Sequence, residues 1–178
     1  MSKSEEIYAL PRRAELVVCD DVRIEASGKQ IFIGVYGAEI QFPVFPNIYP
    51  QLFFVFTVRG QLDELPPQSI AFEVHFPGAD KDFPRVELDS DDFASLRNSD
   101  NEANYYFVQV MFRVAPARFD KPGTLSVVMY DEYGEHLVGR LKITENPALV
   151  PPDQLELLKR RAERLKNQMS VAAPPEKQ

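Results

Sequence analysis

The sequence predicts a mainly β fold: an immunoglobulin-like antiparallel β-sandwich of about seven or eight strands, followed by one C-terminal α-helix. Three observations carry this. Runs rich in Val, Ile, Phe and Tyr recur along the chain, separated by clusters of Pro, Gly, Asn and Asp, which is the pattern of many short strands. No internal repeat at a fixed period is visible, which argues against a propeller or solenoid. After Pro151-Pro152 the apolar spacing changes from two to steps of three and four, the period of a helix.

The elements follow in order. AELVVCDDVRIEA (14–26) and KQIFIGVYG (29–37) read as two strands of a hairpin across a Ser-Gly-Lys turn. QFPVFPNIYP (41–50) contains three prolines, which remove ladder donors, so it reads as an irregular crossing. QLFFVFTVRG (51–60) is apolar on both faces through most of its length and belongs mid-sheet. SIAFEVHFPG (69–78) alternates after a Pro-Pro break. Residues 79–104 turn polar and acidic, with Phe83, Val86, Leu88, Phe93 and Leu96 as apolar anchors, and read as a long loop holding a short strand or a helical turn. YYFVQVMFRV (105–114) resumes the alternation. PGTLSVVMYDEYGEHLVGRLKIT then forms a hairpin that turns between Asp131 and Glu135 through Gly134. In the last segment Leu155, Leu158, Ala162, Leu165 and Met169 form one helical seam. Pro152 and Asp153 suit its first turn, and a helix from 153 to 169 would be roughly 25 Å long.

The organisation expected is an N-terminal arm (1–13), a β-sandwich domain (14–146), a linker and helix (147–170) and a tail (171–178). At 178 residues, 44% apolar and 26% charged, the chain can bury one core. Its start has no apolar run resembling a secretory signal, and no stretch has the apolar length of a membrane span. With Cys19 as the single cysteine, a cytoplasmic address is expected. Through Val150 there are 23 acidic and 14 basic residues, a net −9, and the remainder carries +2, giving −7 overall. An acidic body of this kind argues against nonspecific nucleic-acid binding.

The CDDVRIEASGKQIFIGVYG stretch, the crossing and LFFVFTVRG after it, and the later pair PGTLSVVMY and LVGRLKI together carry a likeness. The chain resembles a family of small bacterial proteins labelled only as a domain of unknown function, with C-D-D-V-R, G-K and I-G-V-Y segments. The resemblance covers most of residues 14–145. It implies an immunoglobulin-like β-sandwich and no established activity, so no catalytic or binding residue is carried over from it.

Several constellations merit weighing. In a regular strand Asp20 falls on the face of Leu16, Val18, Val22 and Ile24, so it needs either a bulge or fixed hydrogen-bond partners. The turn amides around Ser27–Lys29, or Arg23 and Arg59, are the suppliers the sequence suggests. Asp20, Asp21 and Arg23 are therefore read as structural. Neighbours on a strand point to opposite faces, which weakens a shared metal site for Asp20 and Asp21. Asp89, Asp91 and Asp92, near Asp80, Asp82 and Asp100, are weak candidates for calcium, because acidity without ligand spacing is a poor signal. His75 and His136 lack the nucleophile and orienting acid of a hydrolase motif, and acids beside Cys19 would raise rather than lower its thiol pKa.

The function expected is a noncatalytic protein-binding or assembly module with no cofactor. Phe42, Phe45, Ile48 and Tyr49 in the 41–50 crossing are candidate contacts, set against plain core packing of the same aromatics. The seam residues Leu158 and Leu165 are candidates for packing on the sandwich or on a second copy, so a homo-oligomer through the helix or a strand edge is open. The alternative is a calcium-binding protein or an unrecognised enzyme using the acidic 80–100 loop.

Overall fold

The computed structural model describes residues 12–61, 69–79, 83–89, 91–92 and 105–172. Twelve strands fall within them: β1 (Arg12–Cys19), β2 (Asp21–Ile24), β3 (Gln30–Ile33), β4 (Glu39–Phe42), β5 (Asn47–Tyr49), β6 (Leu52–Gln61), β7 (Ser69–His75), β8 (Arg85–Asp89), β9 (Tyr105–Val114), β10 (Ala117–Phe119), β11 (Gly123–Asp131) and β12 (Gly134–Glu145). A short 3₁₀ turn at Pro147–Leu149 leads into the helix α1 (Pro152–Ala172). The protein is thus mainly β, with several sheets and one C-terminal helix, as the alternating pattern predicts. The strand number exceeds the expected seven or eight because short strands of three to five residues separate from the longer runs.

Two larger sheets enclose the core. One has the order β1-β6-β9 and the other β4-β12-β11-β7-β8, while β5 pairs with β10 and β2 with β3 as two-stranded ribbons. The second large sheet departs from the expected all-antiparallel pairing, since β4 runs parallel to β12 with Ile40 beside Ile143. The Pro-rich crossing then carries the chain from the end of β4 to β6 in the other sheet.

β6 explains why the first sheet closes the core. Its inward residues Phe54, Phe56 and Val58 are fully buried, and each lies between an apolar residue of β1 and one of β9: Val18 and Phe112, Leu16 and Val110, Ala14 and Val108. Opposite them stand Ile70, Phe72 and Val74 of β7, Leu125, Val127 and Met129 of β11, and Leu141 and Ile143 of β12, all part of the same cluster. Phe56 stacks on Phe72 across the gap at 4.1 Å between ring centroids. Removing this many aromatic and aliphatic side chains from water is the main drive for the fold. Val55, on the opposite face of β6, is also buried, in keeping with the two-sided apolar run. Gly139 of β12 lets the sheets approach closely, because a Cβ there would stand 2.8 Å from Leu16 Cδ2.

Three expectations need correction. Residues 14–26 do not form one strand of a hairpin with 29–37: β1 pairs with β6, and only β2 pairs with β3. The 41–50 crossing is not wholly irregular, since it holds β4 and β5. The first strand begins at Arg12, inside the segment expected to be an arm, and Arg12 is buried. Residues 1–11, the anchors Phe93 and Leu96, the acids Asp80, Asp82 and Asp100, the side chain of Met169 and the tail 173–178 lie outside the described residues. In α1, Ala162 is buried and Leu155, Leu158 and Leu165 are half-buried, while Leu157 is exposed, so the predicted seam is the sheltered side of the helix.

Candidate functional site

Asp20 stands between β1 and β2, where the chain leaves the β1-β6-β9 sheet and enters the β2–β3 ribbon. Its amide donates to the Ile33 carbonyl at 3.0 Å, while Asp21 is the residue registered opposite Ile33. Two residues of one strand thus meet one of the other, which is the signature of a bulge. The carboxylate turns inward and finds donors there. Tyr36 donates to Oδ1 at 2.5 Å, Tyr49 donates to the same oxygen at 2.9 Å, and the two hydroxyl oxygens lie 3.0 Å apart. The Gln51 side chain donates to the Asp20 carbonyl at 3.2 Å. These partners differ from the turn amides and arginines expected from the sequence; Arg23 instead meets Asp21 at 3.2 Å on the surface, and Arg59 meets Glu15.

The backbone is shaped to the same group. Gly34 has φ +65°, a conformation that side chains disfavour, and a Cβ there would fall 2.0 Å from Asp20 Oδ2. Burial, the hydrogen bond to Asp20 and the contact with Tyr49 hold the Tyr36 hydroxyl protonated far above its ordinary value. Tyr49 is also pushed up, by burial first and by Asp20. Cys19, fully buried, has its thiol raised by burial and then by the Asp20 charge, the opposite of an activated nucleophile. The cluster has the character of a latch at the base of the ribbon.

Beyond the latch, β2, β3 and the segment just after β3 present aliphatic side chains to solvent. Ile24 is 62% exposed, Ile31 43%, Ile33 37% and Val35 57%. Ile31 and Ile33 share a ribbon face with their cross-strand partners Arg23 and Asp21, and Ile24 belongs to the other face with Val22 and Phe32.

The remaining candidates lie elsewhere. Asp89, Asp91 and Asp92 form a capped turn: Asp89 Oδ1 accepts from the Asp91 and Asp92 amides, and Asp92 Oδ2 accepts from the Asp89 amide. Among the described residues no group of three His, Cys, Asp or Glu side chains is arranged to hold a metal ion. Of the crossing aromatics, Phe42 is buried in the core against Phe119 and Phe45, so its ring is not offered to a partner; Phe45 and Tyr49 are half-buried, and Ile48 is exposed. His75 stacks on Phe83 and lies 3.1 Å from Glu73. His136 lies 2.9 Å from Asp131.

Sequence reasoning missed one buried charge. Arg12 reaches from β1 to the β11–β12 turn, where it meets Glu132 with two nitrogens at 2.9 Å each and Asp131 Oδ2 at 3.0 Å. The Arg12 and Asp131 side chains are 3% and 1% exposed. Arg12 holds the Glu132 carboxyl below its usual value. Nothing in the flanking sequence marked this contact, because the two ends are 119 and 120 residues apart.

The architecture and the latch define a mainly β protein whose two large sheets carry a separate, tyrosine-anchored ribbon. The chain belongs to the family of unknown function DUF6941, whose model matches residues 15–144. A search of curated proteins finds no match. Among solved structures, a beta-glucosidase from Listeria innocua is similar at 12% identity and a TM-score of 0.31, over 75% of this chain and 16% of that one. The same enzyme in complex with isofagomine gives 12% identity and a TM-score of 0.32, with coverage of 75% and 16%. The chain therefore spans a small part of those enzymes, and a likeness this low bears on no activity.

Proposed function

We propose that the protein is a noncatalytic protein-binding or assembly module of the cytoplasm, with an immunoglobulin-like β body that starts at Arg12 and ends at Glu145, followed by the helix Pro152–Ala172. The observation that supports it is the β2–β3 ribbon, which displays Ile24, Ile31 and Ile33 to solvent, with Val35 exposed just beyond it. Single exposed aliphatics are ordinary on a protein surface, but Ile31 and Ile33 stand together on one ribbon face, with Ile24 on the other and Val35 just past β3, a concentration of the kind used in protein contacts. In this reading Asp20, Asp21 and Arg23 serve architecture, Asp20 by latching the ribbon and the exposed Asp21–Arg23 pair by lining its surface. The buried Phe42 belongs to the core, and contacts fall on the ribbon before the crossing.

Affinity capture from cells that naturally make the protein tests this, with the full chain and an Ile31→Ser/Ile33→Ser variant used side by side. A protein held by the wild type and lost from a variant with an unchanged melting temperature supports the reading. Equal retention by both chains, or no retained protein with a wild type that is also a single chain in solution, removes it.

A further inference from the structure

We propose that the outer edge of β3 pairs with the same edge of a second copy of this chain, joining two ribbons across a twofold axis. This rests on the binding role proposed above and names its partner. Glu25 donates its amide to the Lys29 carbonyl at 2.9 Å, which makes these two a hydrogen-bonded pair. In an antiparallel ladder such pairs alternate, so Arg23–Ile31 and Asp21–Ile33 are the next ones along the register. The backbone groups of Gln30 and Phe32 consequently face away from β2. Among the described residues no strand pairs with that edge.

The edge is self-complementary. Antiparallel pairing centred on Phe32 sets Ile31 opposite Ile33 of the second copy and Ile33 opposite its Ile31, so one twofold axis satisfies both exposed aliphatics. The strand itself, Gln30–Ile33, carries no charge and no proline, the devices that usually guard a free edge. Charge also selects this site. The whole chain carries −7, so copies repel, but residues 21–36 balance Asp21 and Glu25 against Arg23 and Lys29. Two copies can meet there without bringing like net charges together. Pairing would also turn a marginal two-stranded ribbon into a four-stranded sheet.

Sedimentation equilibrium of the full chain across low to high micromolar concentrations tests the pairing. The wild type is expected to approach twice its 20.3 kDa chain mass. An Ile31→Lys/Ile33→Lys variant, which opposes like charges across the axis, should weaken association by at least about tenfold while melting as the wild type does at concentrations where both are single chains. A second experiment reads the register: Ile31→Cys and Ile33→Cys chains, oxidised as a mixture, should cross-link to each other far more than either does alone. Cys19 is buried and does not compete. A wild type that stays at the single-chain mass, a lysine variant that associates equally well, or cross-linking as strong in each cysteine chain alone overturns the pairing. If the wild type stays single while another protein is still captured through Ile31 and Ile33, only the self-pairing fails. A dimer with no captured protein leaves the pairing standing and confines the role to self-assembly.

Discussion

Tyr36 donates to Asp20 Oδ1 at 2.5 Å across 16 residues of chain, closing the β2–β3 ribbon back onto the strand from which it departs. Tyr49 completes the closure from a different ribbon, so one carboxylate oxygen ties the β5 segment to the end of β1 and to Tyr36, whose amide already donates to the Val18 carbonyl at 2.8 Å.

Removal of that acceptor has a defined effect. Asp20→Ala leaves two inward hydroxyls without their partner and should cost about 1–3 kcal/mol in urea unfolding, whereas Asp20→Asn keeps an oxygen in place and should cost less. Equal losses in the two variants would show that the hydroxyl contacts contribute little.

Gly34→Ala is predicted to destabilise by about 1–3 kcal/mol, through both the left-handed backbone and the collision with the Asp20 carboxylate. Gly28→Ala, at φ +81° but with open space around it, separates the two causes, because it carries only the backbone penalty. Thermal melting of both variants makes the comparison, with the larger drop expected at position 34.

Arg12→Leu removes the guanidinium from the enclosed Asp131 carboxylate, which keeps His136 and the Tyr133 amide on its other oxygen, so the loss should fall below the about 3–5 kcal/mol typical of a buried charge left with no partner. The same contact gives an acid-side signature. Glu132 is held below its ordinary 4.5, so its contribution is present above that pH and is lost as pH falls through the lowered value. Unfolding measured between pH 3 and 6 should therefore show a shallower acid-side slope in Arg12→Leu than in the wild type.

At alkaline pH the sign reverses. Tyr36 and Tyr49 are both raised from 10.0, so the folded state favours their protonated forms; the contribution is complete below pH 10 and fades as pH climbs beyond it. A Tyr36→Phe/Tyr49→Phe variant should lose stability at neutral pH yet decline less steeply above pH 10. Tyr130, also raised, leaves a residual slope in both proteins.

Legibility in the sequence followed the range of the interaction. The two-sided apolar run of β6, the β11–β12 turn and the α1 seam rest on neighbours two to four residues apart, and each was readable. The need of Asp20 for a bulge or partners was readable too, since alternation alone places it on an apolar face. Its donors were not, because Tyr36 and Tyr49 stand 16 and 29 residues away and only folding brings them there. The division of 14–26 between two sheets, the parallel placement of β4 and the burial of Arg12 share that cause. Local alternation specifies which residues face inward, but not which distant strand they meet.

The bulge at Asp20 also sets a rule for chain length. Residues on either side of it belong to different sheets, each with its own alternation of inward and outward side chains. An insertion or deletion of one residue between Val18 and Val22 would turn either β1 or β2 inside out, whereas the Glu25–Lys29 turn can lengthen without altering either strand. Sequence variation among relatives should therefore spare the spacing at the first place and accumulate at the second.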